Sequence, residues 1–237
     1  MRRLPEVLVL VICILSVAAF PHLPAQIAGD VSWLLPSTLS ESVPAREASR
    51  VFLAFAIPAV LALMLAAFRW ATSDRGRATT ARVLPAWLGT PGGRAPEYEK
   101  FSASLDLIML CVTAIAASVH MGFLASALGR HGPISALTGL GFGVALAAMG
   151  NVMPRLRPNP IAGLRSEAML RNPSAWRNAH ASFGRMWVLG GVLVIGTALV
   201  APRYSLIAFV AVVVLSVIVA PIVARRALST RHKAAEV

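Results

Sequence analysis

Charged residues are scarce in this 237-residue chain, at 14% of the sequence, and so are cysteine and lysine. A soluble globular domain typically carries roughly 25% charged residues, so this deficit excludes an ordinary soluble domain. Apolar residues make up 57% of the chain, and the mean hydropathy is +0.72. The composition therefore predicts an integral membrane protein, in which each spanning helix takes about 20 apolar residues.

Few residues are available for metal binding or catalysis. The two cysteines, Cys13 and Cys111, lie inside apolar runs, where burial in helix packing is the expected role. The five histidines are scattered along the chain without the spacing of metal ligands. We find no nucleophile paired with a base and no phosphate-binding loop. The sequence therefore predicts a non-enzymatic protein with no metal and no cofactor.

Six apolar runs are long enough to cross a bilayer, at about 4–20, 51–70, 102–128, 134–153, 186–201 and 204–224. We predict an all-α fold, a polytopic membrane bundle of about six transmembrane helices. The first run also resembles a secretory signal peptide, because Arg2 and Arg3 precede it and small residues lie near Ala28. Both alternatives, a retained helix and a cleaved signal, stay open on charge alone.

The basic residues predict the orientation of these helices. A net charge of +12 would indicate nucleic acid binding in a soluble protein, but here the positions of the charges matter more. Of the 22 basic residues, 18 lie on one side of the predicted bundle and four on the other. Because Lys and Arg are retained in the cytoplasm during insertion, both termini are predicted to be cytoplasmic. We expect a multi-pass protein of the cell membrane, with the lipid bilayer as its direct partner.

The predicted helices divide into two regions. Residues 1–101 form an N-terminal membrane region of two helices with a cytoplasmic linker, which includes an apolar patch at 83–88. Residues 102–237 form a second region of four helices, with a cytoplasmic loop at 154–184.

The fourth run carries small side chains at four-residue intervals, at Gly139, Gly143 and Ala147, and this ladder ends at Asn151. Such a face lets another helix approach closely and predicts helix packing. The glycine spacing is not a nucleotide-binding loop, because no strand precedes it.

Asp106 and His120 are the ionisable residues near membrane depth in the third run. Intramembrane ionisable residues are functional candidates, so they motivate a small transporter or channel as an alternative hypothesis. At 1.5 Å per residue they lie about 21 Å apart along a helix and cannot touch each other. An arginine-paired or interfacial Asp106 and a structural His120 are the competing interpretations.

The 31-residue loop at 154–184 is too long and too apolar to be structureless. Ile161, Leu164 and Ala168 have helical spacing, and Asn172 before Pro173 predicts the cap of another helix. Four aromatic side chains follow on one face of that helix, namely Trp176, His180, Phe183 and Trp187. This segment is either an amphipathic helix on anionic lipid or a recognition surface.

The same region resembles the SdpI family. The resemblance rests on polar and small residues at unusual intervals, which are Gly150, Asn151, Pro154, Asn159, Gly163, Arg165, Trp176 and His180. Ser166 and Ala179 stand where the family has threonine. The N-terminal half is a degenerate match to the domain often found ahead of this motif. Family members keep their first helix, so the resemblance favours a retained span.

This resemblance implies an immunity protein that protects a bacterium from a secreted toxic peptide and holds a cytoplasmic transcriptional repressor at the membrane. It implies no direct contact with nucleic acid. The predicted partner-binding residues are Asn151, Pro154, Asn159, Gly163, Arg165, Trp176 and His180. Asn159 and Arg165 would form hydrogen bonds with a partner or lipid. Gly163 would permit close backbone approach, and Trp176 would anchor the segment.

Overall fold

Helices account for nearly all the regular structure among the residues that the structure describes. The computed structural model describes residues 3–28, 35–40, 47–83, 102–130, 134–158, 163–164 and 166–235. The helices are α1 (Leu4–Ala19), α2 (Ser37–Ser40), α3 (Arg50–Thr72), α4 (Asp74–Val83), α5 (Ser102–Ala127), α6 (Ile134–Val152), α7 (Glu167–Leu170), α8 (Pro173–Val200) and α9 (Ser205–Ala235). Three short 3₁₀ turns follow α1, α6 and α8, at Phe20–His22, Met153–Arg155 and Pro202–Tyr204.

Six of these helices, α1, α3, α5, α6, α8 and α9, are long and apolar enough to cross a membrane. The all-α prediction is confirmed, and the protein is a multi-pass membrane protein. The sequence did not predict the short antiparallel pair of β1 (Gln26–Ala28) and β2 (Glu47–Ser49), which lies between α1 and α3. The division at residue 101 and the cytoplasmic location of the termini stay predictions.

The observed helix boundaries differ from the ends of the hydropathy runs where a side chain caps the helix or where the end of the helix is buried. The Asn172 side chain accepts a hydrogen bond from the amide of Ala175, and Pro173 occupies the first turn, as predicted. As a result α8 begins well before residue 186. Of the three residues with helical spacing, Ala168 lies in α7, Leu164 lies in a bend, and Ile161 lies outside the described residues.

The region expected to be a linker after the second span contains α4. The apolar patch predicted at 83–88 lies outside the described residues, apart from Val83 at the end of α4.

Several apolar clusters hold the bundle together, and two of them each join three or more helices. One joins α5, α6 and α8 through Cys111, Phe142, Leu146 and Val194. The other joins α1, α3 and α5 around residues that include Ile12. Both cysteines are free, and Cys111 is buried, in line with the packing role expected for it. In contrast α9 is peripheral, since only 11% of its most apolar window is buried.

Contacts at the two ends of the bundle show that the long helices alternate in direction. Side chains from the start of α1, the end of α3 and the start of α5 meet at one end. At the other end, the start of α6 lies against the end of α8 and the start of α9, where a Cβ on Gly139 would overlap with Ser205 and lie 2.8 Å from Ala198. This antiparallel order places the segment between α6 and α8 at the same end as the start of α1.

Candidate functional site

The segment between α6 and α8 begins with a buried anchor. After the turn at Met153–Arg155 the chain becomes extended at Leu156. Met153 and Leu156 are 7% and 3% exposed and pack with Leu105 of α5. We call residues 153–166 the α6–α7 loop. Its first residues are thereby held against the bundle.

Trp176, in the first turns of α8, holds the start of this loop. Its indole Nε1 donates a hydrogen bond of 2.7 Å to the carbonyl oxygen of Leu156. The side chain is 1% exposed, and its ring stacks on His180 with centroids 4.0 Å apart. Trp176, which was expected to anchor this segment, therefore holds the start of the loop from inside the protein.

His180, one turn further along α8, holds the end of the loop. Its Nε2 lies 3.1 Å from the amide nitrogen of Leu164, and its Nδ1 lies 2.8 Å from the carbonyl oxygen of Trp176. A backbone amide only donates, so Nε2 accepts and Nδ1 carries the proton that is donated to Trp176. The neutral ring, which is 0% exposed, therefore uses both of its nitrogens for hydrogen bonds within the protein.

Gly163 allows the backbone to lie on this imidazole ring. Its φ is +111°, in a region that favours glycine, and a Cβ at this position would overlap with Nε2 of His180. Gly163 was expected to permit close backbone approach, and in the structure its backbone lies against the imidazole ring of His180. The structure thus brings together Gly163, Trp176 and His180, which are 17 residues apart in sequence at most.

The other predicted motif residues are not part of this cluster. Asn151, at the end of α6, and Pro154, in the following turn, are exposed. Asn159 and Arg165 lie outside the described residues, so their proposed contacts stay predictions. The sequence could not identify Leu156 and Leu164 as the partners of Trp176 and His180. Both leucines take part through backbone atoms, which any residue would supply.

Asp106 lies in a charged cluster that joins three helices. Arg69 of α3 donates from Nε to Glu6 of α1 at 2.6 Å and from Nη1 to Asp106 of α5 at 2.5 Å. The side chain of Asp106 is 9% exposed, whereas that of Glu6 is 40% exposed. This geometry agrees with the arginine-paired interpretation of Asp106. In the sequence, the feature that indicated Arg69 as a partner of Asp106 was the position of this arginine at the end of an apolar run.

His120 lies at the opposite end of α5. Its Nε2 is 2.7 Å from the hydroxyl oxygen of Ser16 on α1, and both residues are 0% exposed. Each of the two ionisable residues thus ties α1 to α5 at a different depth, directly or through Arg69. The transport hypothesis and the competing structural interpretation of His120 both stay predictions, and Asp106-dependent flux in liposomes would test the first.

The small residues of α6 lie against α8. A Cβ on Gly143 would lie 2.7 Å from the carbonyl oxygen of Gly191, and one on Gly150 would lie 2.7 Å from that of Gly184. A Cβ on Gly191 would in turn lie 2.8 Å from Cβ of Ala147. These distances are shorter than real Cβ contacts, so the two backbones meet closely along this face. The glycines of α8 that complete the contact were not predicted.

Among the described residues, no group of three or more His, Cys, Asp or Glu side chains is placed to hold a metal ion. The described site consists of a backbone segment held by two aromatic side chains.

Comparison with known proteins relates part of the chain to a protein family. Curated proteins and solved structures yield no match. Residues 155–224 match the model of the SdpI/YfhL protein family. The matched segment contains most of the α6–α7 loop, α7, α8 and most of α9, and it includes Gly163, Trp176 and His180. The C-terminal part of this membrane protein, from residue 155 to residue 224, is therefore an SdpI/YfhL family domain.

Proposed function

We propose that this protein is a non-enzymatic immunity protein of the bacterial cell membrane. It gives resistance to a toxic peptide and binds a cytoplasmic transcriptional regulator through the α6–α7 loop. The observation that carries the proposal is the pair of tethers within the family domain, from Trp176 to Leu156 and from His180 to Leu164. A loop that is held before its partner arrives loses less conformational entropy on binding.

The residues expected to make the contacts lie between the two tethers or directly beside one of them. Asn159 lies between the two tethered leucines in the sequence, and Arg165 directly follows Leu164. Exposed arginines lie in the loop and in the first turns of α8, at Arg155, Arg157 and Arg177. This positive charge favours an acidic surface on the partner, through charge-assisted hydrogen bonds.

Survival of a sensitive bacterium tests the proposal. The chain is expressed in a strain that produces a secreted toxic peptide and has lost its own SdpI-type immunity protein. We expect the wild type to restore growth, and Asn159→Ala and Arg165→Ala to lower survival to that of the empty vector. Arg203→Ala, an exposed arginine at the other end of the bundle, is the matched control and should protect fully.

Each result bears on a separate part of the proposal, provided that membrane fractions contain equal amounts of each variant. Failure of the wild type to protect would refute the immunity role. Full protection by both Asn159→Ala and Arg165→Ala would refute the assignment of the loop.

A further inference from the structure

A cavity of about 280 Å³ lies between α8, α9 and the end of the α6–α7 loop. Its lining includes Leu164 and His180 at one end and Trp187, Ser216, Val217 and Ala220 along the two helices. It is just below the size range of typical small-molecule pockets, roughly 300–1,000 Å³. The cavity therefore suits a narrow ligand rather than a folded partner.

The polar side chains in its wall already have partners. Trp187 Nε1 donates to the Ser216 hydroxyl oxygen at 2.9 Å, and that hydroxyl donates to the carbonyl oxygen of Val212 at 2.6 Å. Both ring nitrogens of His180 are engaged by Leu164 and Trp176. A ligand would meet an apolar wall and would gain affinity by burying apolar surface, without needing hydrogen bonds.

One lining residue of the cavity can be reached from outside the protein. Val217 is 69% exposed and belongs to the apolar span of α9, so acyl chains would cover it in a bilayer. It lies eight residues before Arg225, or about 12 Å along the helix, which is less than half of a hydrocarbon core about 30 Å thick. The exposed Arg225 therefore lies at the level of the headgroups when Val217 lies among the acyl chains.

The shape of the cavity also follows the direction of lipid chains. Its wall on α9 runs from Val213 to Ala220, which corresponds to about 10 Å along the helix axis. A chain that descends from the level of Arg225 would pass Leu164, which packs in one cluster with Val223 and Ala224, and would lie parallel to α9 beside Val217.

We propose that this cavity binds one acyl chain of an anionic phospholipid, whose headgroup phosphate is held at the level of Arg225. The bound chain packs against Leu164 and so supports the tethered end of the α6–α7 loop from the membrane side. The lipid site does not depend on the immunity role, and it persists if that role is refuted.

Native mass spectrometry of the full chain, purified from membranes containing phosphatidylglycerol, tests the site. Ala220→Phe places a ring in the cavity, whereas Ala211→Phe places the same ring on the exposed face of α9 and is the matched control. We expect wild type and Ala211→Phe to retain one phosphatidylglycerol that Ala220→Phe loses. Equal lipid retention in all three proteins, or a bound peptide in place of lipid, would overturn the proposal.

A measurement on the folded wild type covers the case in which Ala220→Phe fails to fold. The protein is placed in phosphatidylcholine vesicles with increasing fractions of phosphatidylglycerol that has brominated acyl chains, which quench tryptophan fluorescence. The fluorescence of Trp187 is the difference between wild type and Trp187→Phe, and it reports on the cavity. The fluorescence of Trp70 is obtained in the same way from Trp70→Phe, and it reports on a side chain that is 54% exposed. We expect Trp187 to be quenched at a severalfold lower fraction than Trp70. Equal dependence on that fraction would contradict a specific site.

Discussion

His180 binds backbone groups of two segments with one side chain, and this explains why a histidine is needed there. A phenylalanine would stack on Trp176 but would leave the amide of Leu164 without this partner, whereas the carbonyl oxygen of Trp176 lies within α8 and keeps its helical hydrogen bond. Leaving a buried donor or acceptor unsatisfied costs about 1–3 kcal/mol. The histidine therefore contributes to the position of the loop through hydrogen bonds as well as through packing.

Gly163→Ala should loosen the α6–α7 loop. We expect a cost of about 1–3 kcal/mol, because alanine at a φ of +111° is strained and its Cβ overlaps with His180. Limited proteolysis with trypsin in open membrane fragments would show faster cleavage at the arginines of the loop. In the His180→Ala background the same substitution should cost less, since the overlap is gone and only the backbone strain is left.

Gly129→Ala is the matched control for this prediction. Gly129 also has a positive φ, of +70°, but no atom lies within 4 Å of the position of its Cβ. The substitution should leave cleavage of the α6–α7 loop unchanged. Equal resistance of Gly163→Ala and wild type would contradict the tether.

At this scale the family resemblance named residues of the site but not their contacts. The motif that carries the resemblance contains Gly163, Trp176 and His180, and the structure brings all three together. The sequence could not show that Trp176 points into the protein, because an aromatic residue near a membrane boundary fits lipid and protein equally well. Position along a helix does not determine which surface covers a side chain.

Between elements, the closest contact is that of α6 with α8, where glycines on both helices face each other. Lipid tails are as apolar as the side chains, so such helices associate through close packing and not through the hydrophobic effect. The four-residue ladder of α6 predicted one half of this contact. The other half, Gly184 and Gly191 of α8, was missed because α8 also carries glycines that face elsewhere, such as Gly190 and Gly196.

Gly143→Val should separate these two helices. The new side chain would meet Ile195 and the backbone of Gly191, so we expect a cost of at least about 1–3 kcal/mol from overpacking. Thermal unfolding in detergent would show a lowered Tm. Gly196→Val introduces the same side chain where no atom lies within 4 Å and should leave Tm nearly unchanged. A similar Tm for the two variants would contradict the close contact.

The start of α8 shows which sequence signal is local enough to be reliable. Hydropathy placed the helix start near residue 186, since charged and polar residues interrupt the apolar pattern before it. The cap at Asn172 and Pro173 gave the observed boundary, because capping depends only on neighbouring backbone groups. The turns before Met186 are buried against the α6–α7 loop, a tertiary contact that a hydropathy window does not include.

For the whole molecule, the number of spans was predictable because the bilayer imposes one length and one polarity on every crossing. The order of helix neighbours was not predictable, since apolar faces of different helices resemble one another. α5 packs against α1 through His120 and against α6 through the core around Phe142. α5 therefore contacts helices of both regions that the predicted division at residue 101 separates.

Cysteine labelling tests the orientation of the bundle. With Cys13 and Cys111 replaced by alanine, new cysteines are placed at Tyr204 and Ser174, which are exposed at opposite ends and leave every arginine in place. We expect a membrane-impermeant maleimide to label Tyr204→Cys in intact cells and Ser174→Cys only after permeabilisation, because arginine-rich segments are retained inside. The reverse pattern would contradict cytoplasmic termini.

The cluster of Glu6, Arg69 and Asp106 has a consequence for biosynthesis. Glu6 precedes Arg69 by 63 residues and Asp106 follows it by 37, so the two acids leave the ribosome before and after the arginine. Since chains are made from the N-terminus, Arg69 can pair with Glu6 while α5 is still being translated. Asp106 then binds an arginine that is already in place. Arg69, near the end of α3, is thereby the residue through which the hairpin of α1 and α3 binds α5, the next long helix to be made.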